Sequence, residues 1–301
     1  MMRIALVGLG SMGKHHYNVI NNLESVDLVA VVEQDETKTV DVRVPAYCDV
    51  DEMLEAAAPD MVVVATPTST HLDISKKILS RGIHLLVEKP IAKNVIEAKQ
   101  MSALADRNSC KAVVGQIERY NPAIQAVLTK LKEEKIIHCT FTRMSPYPKR
   151  ITDVGVKLDL GIHDVDLIRL ITESNVELFS SVDSTNVGDV EDSAAFVLKM
   201  FDGTIATITS SWLTPFRERK LKIITEKRYY EVDMLNLSVN IHTIIGDNKY
   251  TCESIEVKKE NALENQLRAF INYIQTGDRG TLCNIEDGLL ALSYATEGDT
   301  E

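Results

Sequence analysis

The apolar run Ile4-Ala5-Leu6-Val7 leads straight into Gly8-Leu9-Gly10-Ser11-Met12-Gly13, and Glu33 closes the next apolar run twenty residues after Gly13. Each glycine has a separate task at this spacing. Gly8 permits a tight turn, Gly10 lets backbone amides approach a pyrophosphate, and Gly13 lets the following helix pack close to the strand. The helix start at Ser11 and Met12 then offers N–H groups and partial positive charge to phosphate oxygens. Glu33 is spaced to accept hydrogen bonds from an adenosine ribose. Strand, glycine turn, helix and acid together point to a dinucleotide-binding βαβ unit. The bland alternative is a glycine-rich turn with no ligand.

The same alternation continues for about the first 120 residues. Leu28–Val32, Met61–Ala65, Ile83–Val87 and Lys111–Gly115 read as buried strands, with helical patterns at Leu72–Ser80 and Val95–Asn108 between them. Strands that alternate with helices argue for a doubly wound parallel sheet. Asn94 ahead of Val95 and Glu97 has the composition of a helix cap. After Tyr120-Asn121-Pro122 the pattern changes. Helices at Ala123–Lys132 and Leu158–Leu170 bracket a strand at Ile137–Met144. Five segments between Val176 and Met234 then fit an antiparallel meander, with Phe201-Asp202-Gly203-Thr204 as a hairpin turn, before helices return at Asn261–Gln275 and Glu286–Thr296. The expected fold class is therefore α/β: a Rossmann domain over residues 1–118, joined to an α+β domain over 119–301 built on a large open, mostly antiparallel sheet.

Charge and cysteine usage exclude several classes of partner. A formal charge of −11 argues against nonspecific nucleic-acid binding, which needs a cationic surface. No apolar run approaches the ~20 residues of a membrane span, and the short N-terminal apolar stretch is broken by glycines, unlike a secretory leader. The five scattered cysteines contain no CxxC pair. Reduced thiols in a cytoplasmic protein are expected, with no metal site. His15 and His16 are adjacent on a helix and point in different directions, which also argues against metal ligation.

Three polar clusters follow strands where a doubly wound fold puts its ligand contacts. Thr66-Pro67-Thr68-Ser69-Thr70-His71 is a hydroxyl-rich loop suited to a cofactor ribose or phosphate, or else a proline turn that caps the next helix. Glu88-Lys89-Pro90 places a lysine immediately before proline, where extended backbone is favoured. Its ammonium is then aimed rather than free to sweep, and can donate to a substrate hydroxyl and bias proton transfer. Most single lysines are only solvated charges. Asp159 and His163 lie four apart, so on an α-helix they share a face. A carboxylate beside an imidazole sets its tautomer and raises its basicity, as a general base requires. The alternative is a capped helix start with an incidental histidine. Asp164 and Asp166 face elsewhere, for capping or packing.

These motifs together resemble the Gfo/Idh/MocA oxidoreductases over nearly the whole chain. The likeness rests on Gly8–Gly13, the Ala65-Thr66-Pro67 to His71 loop, Glu88-Lys89-Pro90 and the Asp159-x3-His163 pair. It implies an NAD(P)-dependent dehydrogenase acting on CH–OH groups of sugars or cyclitols. Lys89, Asp159 and His163 match the family's catalytic trio: His163 as acid/base, Lys89 orienting the reacting hydroxyl and nicotinamide, Asp159 positioning substrate and His163. Gly8, Gly10, Ser11, Met12, Gly13, Glu33, Thr66, Pro67, Thr68, His71, Glu88 and Lys89 fall at cofactor positions. The family often carries a Gly-Gly pair shortly before the aspartate, whereas Asp153-Val154-Gly155-Val156-Lys157 has one glycine. The family's open sheet also implies a homodimer or homotetramer.

Glu33 predicts NAD over NADP, because a carboxylate near the 2′ position repels a 2′-phosphate and neither Gln34 nor Asp35 supplies a compensating cation. The substrate reading leans on Arg119, Tyr120, Asn121, Arg143, Tyr147, Lys149 and Arg150, of which the basic residues stand out in an acidic chain. Arginine forks match phosphate geometry, so a nucleotide sugar is expected. Glu118-Arg119-Tyr120-Asn121-Pro122 and Trp212-Leu213-Thr214-Pro215 are similar to UDP-N-acetylglucosamine 3-dehydrogenases of this family. Inositol or free-sugar oxidation, a reductase for a non-sugar, and a noncatalytic NAD-binding regulator are the alternatives. Arg217 and Arg219 have no assigned role.

Overall fold

The computed structural model describes residues 1–132, 134–148 and 154–296. Two compact units result. The first is Met1–Ile117 with Leu263–Leu292, and the second begins at Glu118 and runs to Ala262, with Ser293 onward.

In the first unit six strands run parallel: β1 (Met2–Val7), β2 (Val26–Val32), β3 (Ala46–Tyr47), β4 (Met61–Val64), β5 (His84–Glu88) and β6 (Ala112–Gly115). Their spatial order is β3-β2-β1-β4-β5-β6. β4 is buried along its whole length and β1 from Ile4 to Val7, which is why they read as unbroken apolar runs rather than alternating ones. The order reverses between β1 and β4, and in such sheets ligands bind beyond the carboxyl ends of the strands at that switch point.

Four helices connect these strands: α1 (Ser11–Asn21), α2 (Val50–Ala57), α3 (His71–Leu79) and α4 (Val95–Arg107). The expected cap of α4 forms, with Asn94 Oδ1 accepting from Glu97 N at 2.9 Å. The short α2 was not expected. Asp49 starts it by accepting from Asp51 N at 2.7 Å and Glu52 N at 3.1 Å.

The second unit holds one eight-stranded sheet: β7 (Ile136–Met144), β8 (Val176–Ser184), β9 (Ser193–Met200), β10 (Ile205–Ser211), β11 (Glu218–Thr225), β12 (Arg228–Asp233), β13 (Ser238–Gly246) and β14 (Lys249–Ile255). The order β14-β13-β12-β11-β7-β10-β9-β8 departs from a simple meander, because β7 enters between β10 and β11 and pairs in parallel with β10. β13 and β14 were not expected. β14 is an edge strand exposed almost throughout, so it lacks the alternation that marks a half-buried strand.

One sheet face packs Phe141, Phe196, Leu198, Ile208, Leu221 and Ile223 in a single core with Ile124 and Val127 of α5 (Pro122–Leu131) and Val165 and Ile168 of α6 (Ile162–Thr172). The other face is polar at Thr140, Lys220, Lys222 and Asn240, yet leaves Val182, Val197, Ile205, Ile224 and Ile244 exposed.

The C-terminal helices α7 (Ala262–Thr276) and α8 (Ile285–Thr296) follow. Although late in the chain, residues 263–292 belong to the first unit. Lys111 Nζ caps the end of α7 by donating to Tyr273 O at 2.6 Å and Ile274 O at 3.1 Å. Val114 N donates to Cys283 O at 2.8 Å, and Gly288 lies so close to β6 that a Cβ there would meet Val114. The division at residue 118 expected from the sequence therefore differs from the observed one, which returns the chain to the edge of the parallel sheet. Among the described residues no helix is long and apolar enough to cross a membrane.

Candidate functional site

The glycine turn sits at the carboxyl end of β1. Gly8 has φ +93°, and a Cβ there would stand 2.7 Å from Ala65 O and 2.9 Å from Thr66 Cγ2, so both conformation and space demand glycine. A Cβ at Gly13 would overlap the Gly8 carbonyl. Gly10 is the opposite case, with nothing within 4 Å of where its Cβ would be. No side chain caps α1 and no acid occupies its first turn. An uncapped helix start behind an open glycine is a cradle for a phosphate group. Gly13→Ala is expected to abolish dinucleotide binding and to cost at least ~1–3 kcal/mol of stability. Nicotinamide fluorescence titration and urea unfolding will measure both.

Glu33 follows β2 and is more occupied than its spacing suggested. Its Oε2 accepts from Leu9 N at 2.7 Å, inside the glycine turn, and its Oε1 accepts from Asp35 N at 3.1 Å. Burial pushes its pKa up, but those two amides and the nearby Lys38 ammonium outweigh it and keep the carboxyl below its ordinary value. Glu33 is thus an anion that also braces the turn. Lys38 Nζ lies 3.6 Å from Glu33 and 3.5 Å from Asp35. This cation arrives through a 3₁₀ turn at Glu36–Lys38, beyond the Gln34-Asp35 pair that follows Glu33 in sequence.

Beyond β4, Thr70 Oγ1 donates to Pro67 O and lies 2.8 Å from Thr66 Oγ1, which curls the hydroxyl loop into a 3₁₀ turn at Thr68–Thr70. His71 is buried. Its Nδ1 lies 3.0 Å from Pro90 O and 3.2 Å from Ile91 O, and its Nε2 3.0 Å from Thr66 O. Burial pulls its pKa down while the three carbonyl contacts oppose that, and the ring braces two loops from within. The Lys89–Pro90 peptide is cis, and Lys89 is half-buried. The Glu88 carboxylate turns inward, 2.7 Å from His16 Nε2.

In the second unit Asp159 lies in a π-helical turn over Lys157–Gly161 that runs into α6, with the Ile162 amide reaching back to Lys157 O. π-Bulges within helices concentrate at functional sites. The wider turn alters the α-helical register on which a shared face for Asp159 and His163 was expected. Asp159 is half-buried and His163 nearly fully buried. Gly161 packs closely here, where a Cβ would come within 2.8 Å of the Phe196 ring.

Several residues read as substrate contacts have other partners. Arg143 is buried and grips Asp164 with two prongs, Nη2 to Oδ1 at 2.6 Å and Nε to Oδ2 at 3.0 Å, while Nη1 donates to Glu118 Oε1 at 3.1 Å. Arg119 makes the same fork on Asp166 at 2.6 and 2.7 Å. Asn121 Oδ1 caps α5 by accepting from Ala123 N at 3.0 Å, and its amide donates to Glu118 and to Met234 O. Buried charge must be paired, and these three side chains, expected at an anionic substrate, have partners within the unit. Tyr120 is buried. Tyr147 packs edge-on against Trp212, with ring centroids 5.7 Å apart. Lys149 and Arg150 lie outside the described residues. Arg219 is about one-third exposed and donates to Glu118 at 2.7 Å, while Arg217 is exposed.

Comparison with known proteins agrees with this architecture. The profile of the oxidoreductase family with an NAD-binding Rossmann fold matches residues 2–116, and that of the GFO/IDH/MocA C-terminal domain matches residues 133–231. The chain belongs to the Gfo/Idh/MocA oxidoreductases. Among similar proteins, UDP-N-acetylglucosamine 3-dehydrogenase of Acidithiobacillus ferrooxidans is 29% identical, over 98% of this chain and 96% of its own. A solved structure of that enzyme superposes with a TM-score of 0.90 at 26% identity, again covering 98% and 96%. Myo-inositol 2-dehydrogenase of Thermotoga maritima is 26% identical over 100% of this chain and 96% of its own. An oxidoreductase from Agrobacterium radiobacter, solved with NAD+, L-tartaric acid and magnesium, shares the fold at a TM-score of 0.86 and 17% identity, covering 98% and 94%.

Proposed function

We propose that this family member is an NAD-dependent dehydrogenase that oxidises a secondary hydroxyl of a nucleotide sugar of the UDP-N-acetylglucosamine type. The observation that carries the dehydrogenase reading is the open, uncapped start of α1 behind Gly10, braced by the ionised Glu33, in a chain that retains Lys89, Asp159 and His163. The substrate reading is supported by the near full-length likeness to UDP-N-acetylglucosamine 3-dehydrogenase. The amides of Ser11 and Met12 hold the pyrophosphate, Glu33 receives the ribose hydroxyls, and the Thr66–Thr68 loop flanks them.

Bound NAD supplies the hydride acceptor. His163 takes the proton of the reacting hydroxyl, Asp159 orients its imidazole, and the Lys89 ammonium donates to the hydroxyl oxygen, which lowers the cost of removing that proton. A second reading, oxidation of inositol or a free sugar, is favoured by the internal pairing of Arg119 and Arg143, which removes two cations from the set that suggested a phosphate. Screening UDP-N-acetylglucosamine against inositols and free sugars with NAD, read by nicotinamide absorbance, decides between them. Turnover of inositol alone would transfer the assignment to the second reading.

NAD is the preferred cofactor in this proposal. Unit charges of like sign at ~4 Å repel by about 4 kcal/mol at an intermediate dielectric, and Lys38 offsets part of this. The expected preference in kcat/KM is therefore about 10²-fold rather than absolute. Equal efficiency with NADP would refute it. We further propose a cytoplasmic homo-oligomer that self-associates through the sheet face carrying Val197, Ile205 and Ile224. Sedimentation of Val197→Asp against the parent protein will report a shift toward monomer.

A further inference from the structure

We infer that His16 is a positioning residue that acts on Lys89 through the Glu88 carboxylate, which ties the helix of the phosphate cradle to the loop bearing the proposed catalytic ammonium. His16 lies three residues past Gly13 on α1 and is fully buried. Its Nε2 reaches Glu88 Oε1 at the end of β5 at 2.7 Å, across 72 residues of sequence. The other Glu88 oxygen lies 3.4 Å from Lys89 N. On a third side stands Gly115 of β6, where a Cβ would come within 3.0 Å of Cδ and both carboxyl oxygens. Imidazole, lysine amide and glycine thus fix the carboxylate together.

The second ring nitrogen of His16, Nδ1, is buried with no hydrogen-bond partner. Glu88 alone therefore orients the ring, with Nε2–H donating. A buried imidazole–carboxylate contact is a poor way to attach a helix to a sheet, because apolar side chains of the same size do so without desolvating a charge. Here the carboxylate belongs to the residue before Lys89, so whatever fixes Glu88 fixes the direction in which the Lys89 side chain leaves the backbone.

The inference rests on the catalytic reading of Lys89, and its test separates the two. His16→Leu removes the donor while filling the space. His16→Gln returns an amide N–H near the position of Nε2. Three quantities will be measured: the dissociation constant for NADH by fluorescence, kcat with the turned-over substrate, and the rate of Lys89 acetylation by acetic anhydride in the cofactor-free protein, followed by peptide mass spectrometry. For His16→Leu, NADH binding is expected to stay within about threefold while kcat falls about 10- to 10²-fold, as for a misaimed catalytic group. Its Lys89 acetylation rate is expected to change severalfold, and His16→Gln to recover most of both losses. Wild-type kcat and acetylation in His16→Leu would overturn the inference, as would equal losses in the Leu and Gln variants. If His16→Leu does not fold, Glu88→Gln, which keeps the shape, must change the acetylation rate, and an unchanged rate there likewise overturns it. Should Lys89→Ala prove fully active, the catalytic reading fails, and the acetylation rates still report whether His16 sets the position of Lys89.

Discussion

Lys89→Ala and His163→Ala are each expected to lower turnover by about 10²–10⁴-fold while NADH still binds. The two side chains belong to different units, and neither replacement touches the glycine turn or the start of α1. The loss should therefore appear in kcat with little change in the dissociation constant for the dinucleotide. Lys89 is half-buried. His163 is nearly fully buried on α6, and His163→Gln serves as a second variant that keeps the bulk and a donor. Steady-state kinetics beside fluorescence titration of NADH checks both. Near-parental turnover in both alanine variants would end the assignment of Lys89 and His163 to the proton transfer. Loss of NADH binding in Lys89→Ala would instead group that lysine with the residues that hold the cofactor.

Arg143→Met is expected to destabilise the second unit by about 3–5 kcal/mol, because it leaves the buried carboxyl groups of Asp164 and Glu118 without their main partner. Burial disfavours the Arg143 charge, but Asp164 and Glu118 outweigh that and push its pKa up. Burial also opposes ionising Glu118, yet Arg143 and then Arg219 pull its carboxyl below the ordinary 4.5. The folded value is thus the lower one, so the unfolded chain takes up protons first on acidification. Stability from Glu118 is complete above pH 4.5 and is lost as pH falls through the folded value. Arg143→Met should move the acid-unfolding midpoint to higher pH. Urea unfolding at neutral pH and an acid titration by circular dichroism will measure both. A raised KM with unchanged stability would restore Arg143 to the substrate-binding residues.

Where a feature depended on neighbours in sequence, the chain could be read directly. The glycine turn, the Asn94 cap and the parallel strands follow from turn chemistry and from apolar periodicity, and both act over a few residues. The short α2 and the exposed β14 escaped because one is only two turns long and the other lacks a buried face. The π turn at Lys157–Gly161 has no distinct sequence pattern. Packing around Gly161 and Phe196 accompanies it, and it changes the register on which pairing Asp159 with His163 relied.

Side-chain partnership followed a different rule. Arg119, Asn121 and Arg143 stood out because they are polar residues in an acidic chain. Their partners Asp166, Met234 and Asp164 lie 47, 113 and 21 residues away. His16 and Glu88 meet from 72 residues apart. An unpaired guanidinium and a buried, paired one have the same letter in the sequence.

Local geometry, in short-range backbone sterics and the burial period of each segment, told which strands, turns and cradle this chain would build. Which charges are used up inside it, and which remain to meet a ligand, was decided only when distant segments packed together, since desolvation and pairing depend on distance in space and not along the chain.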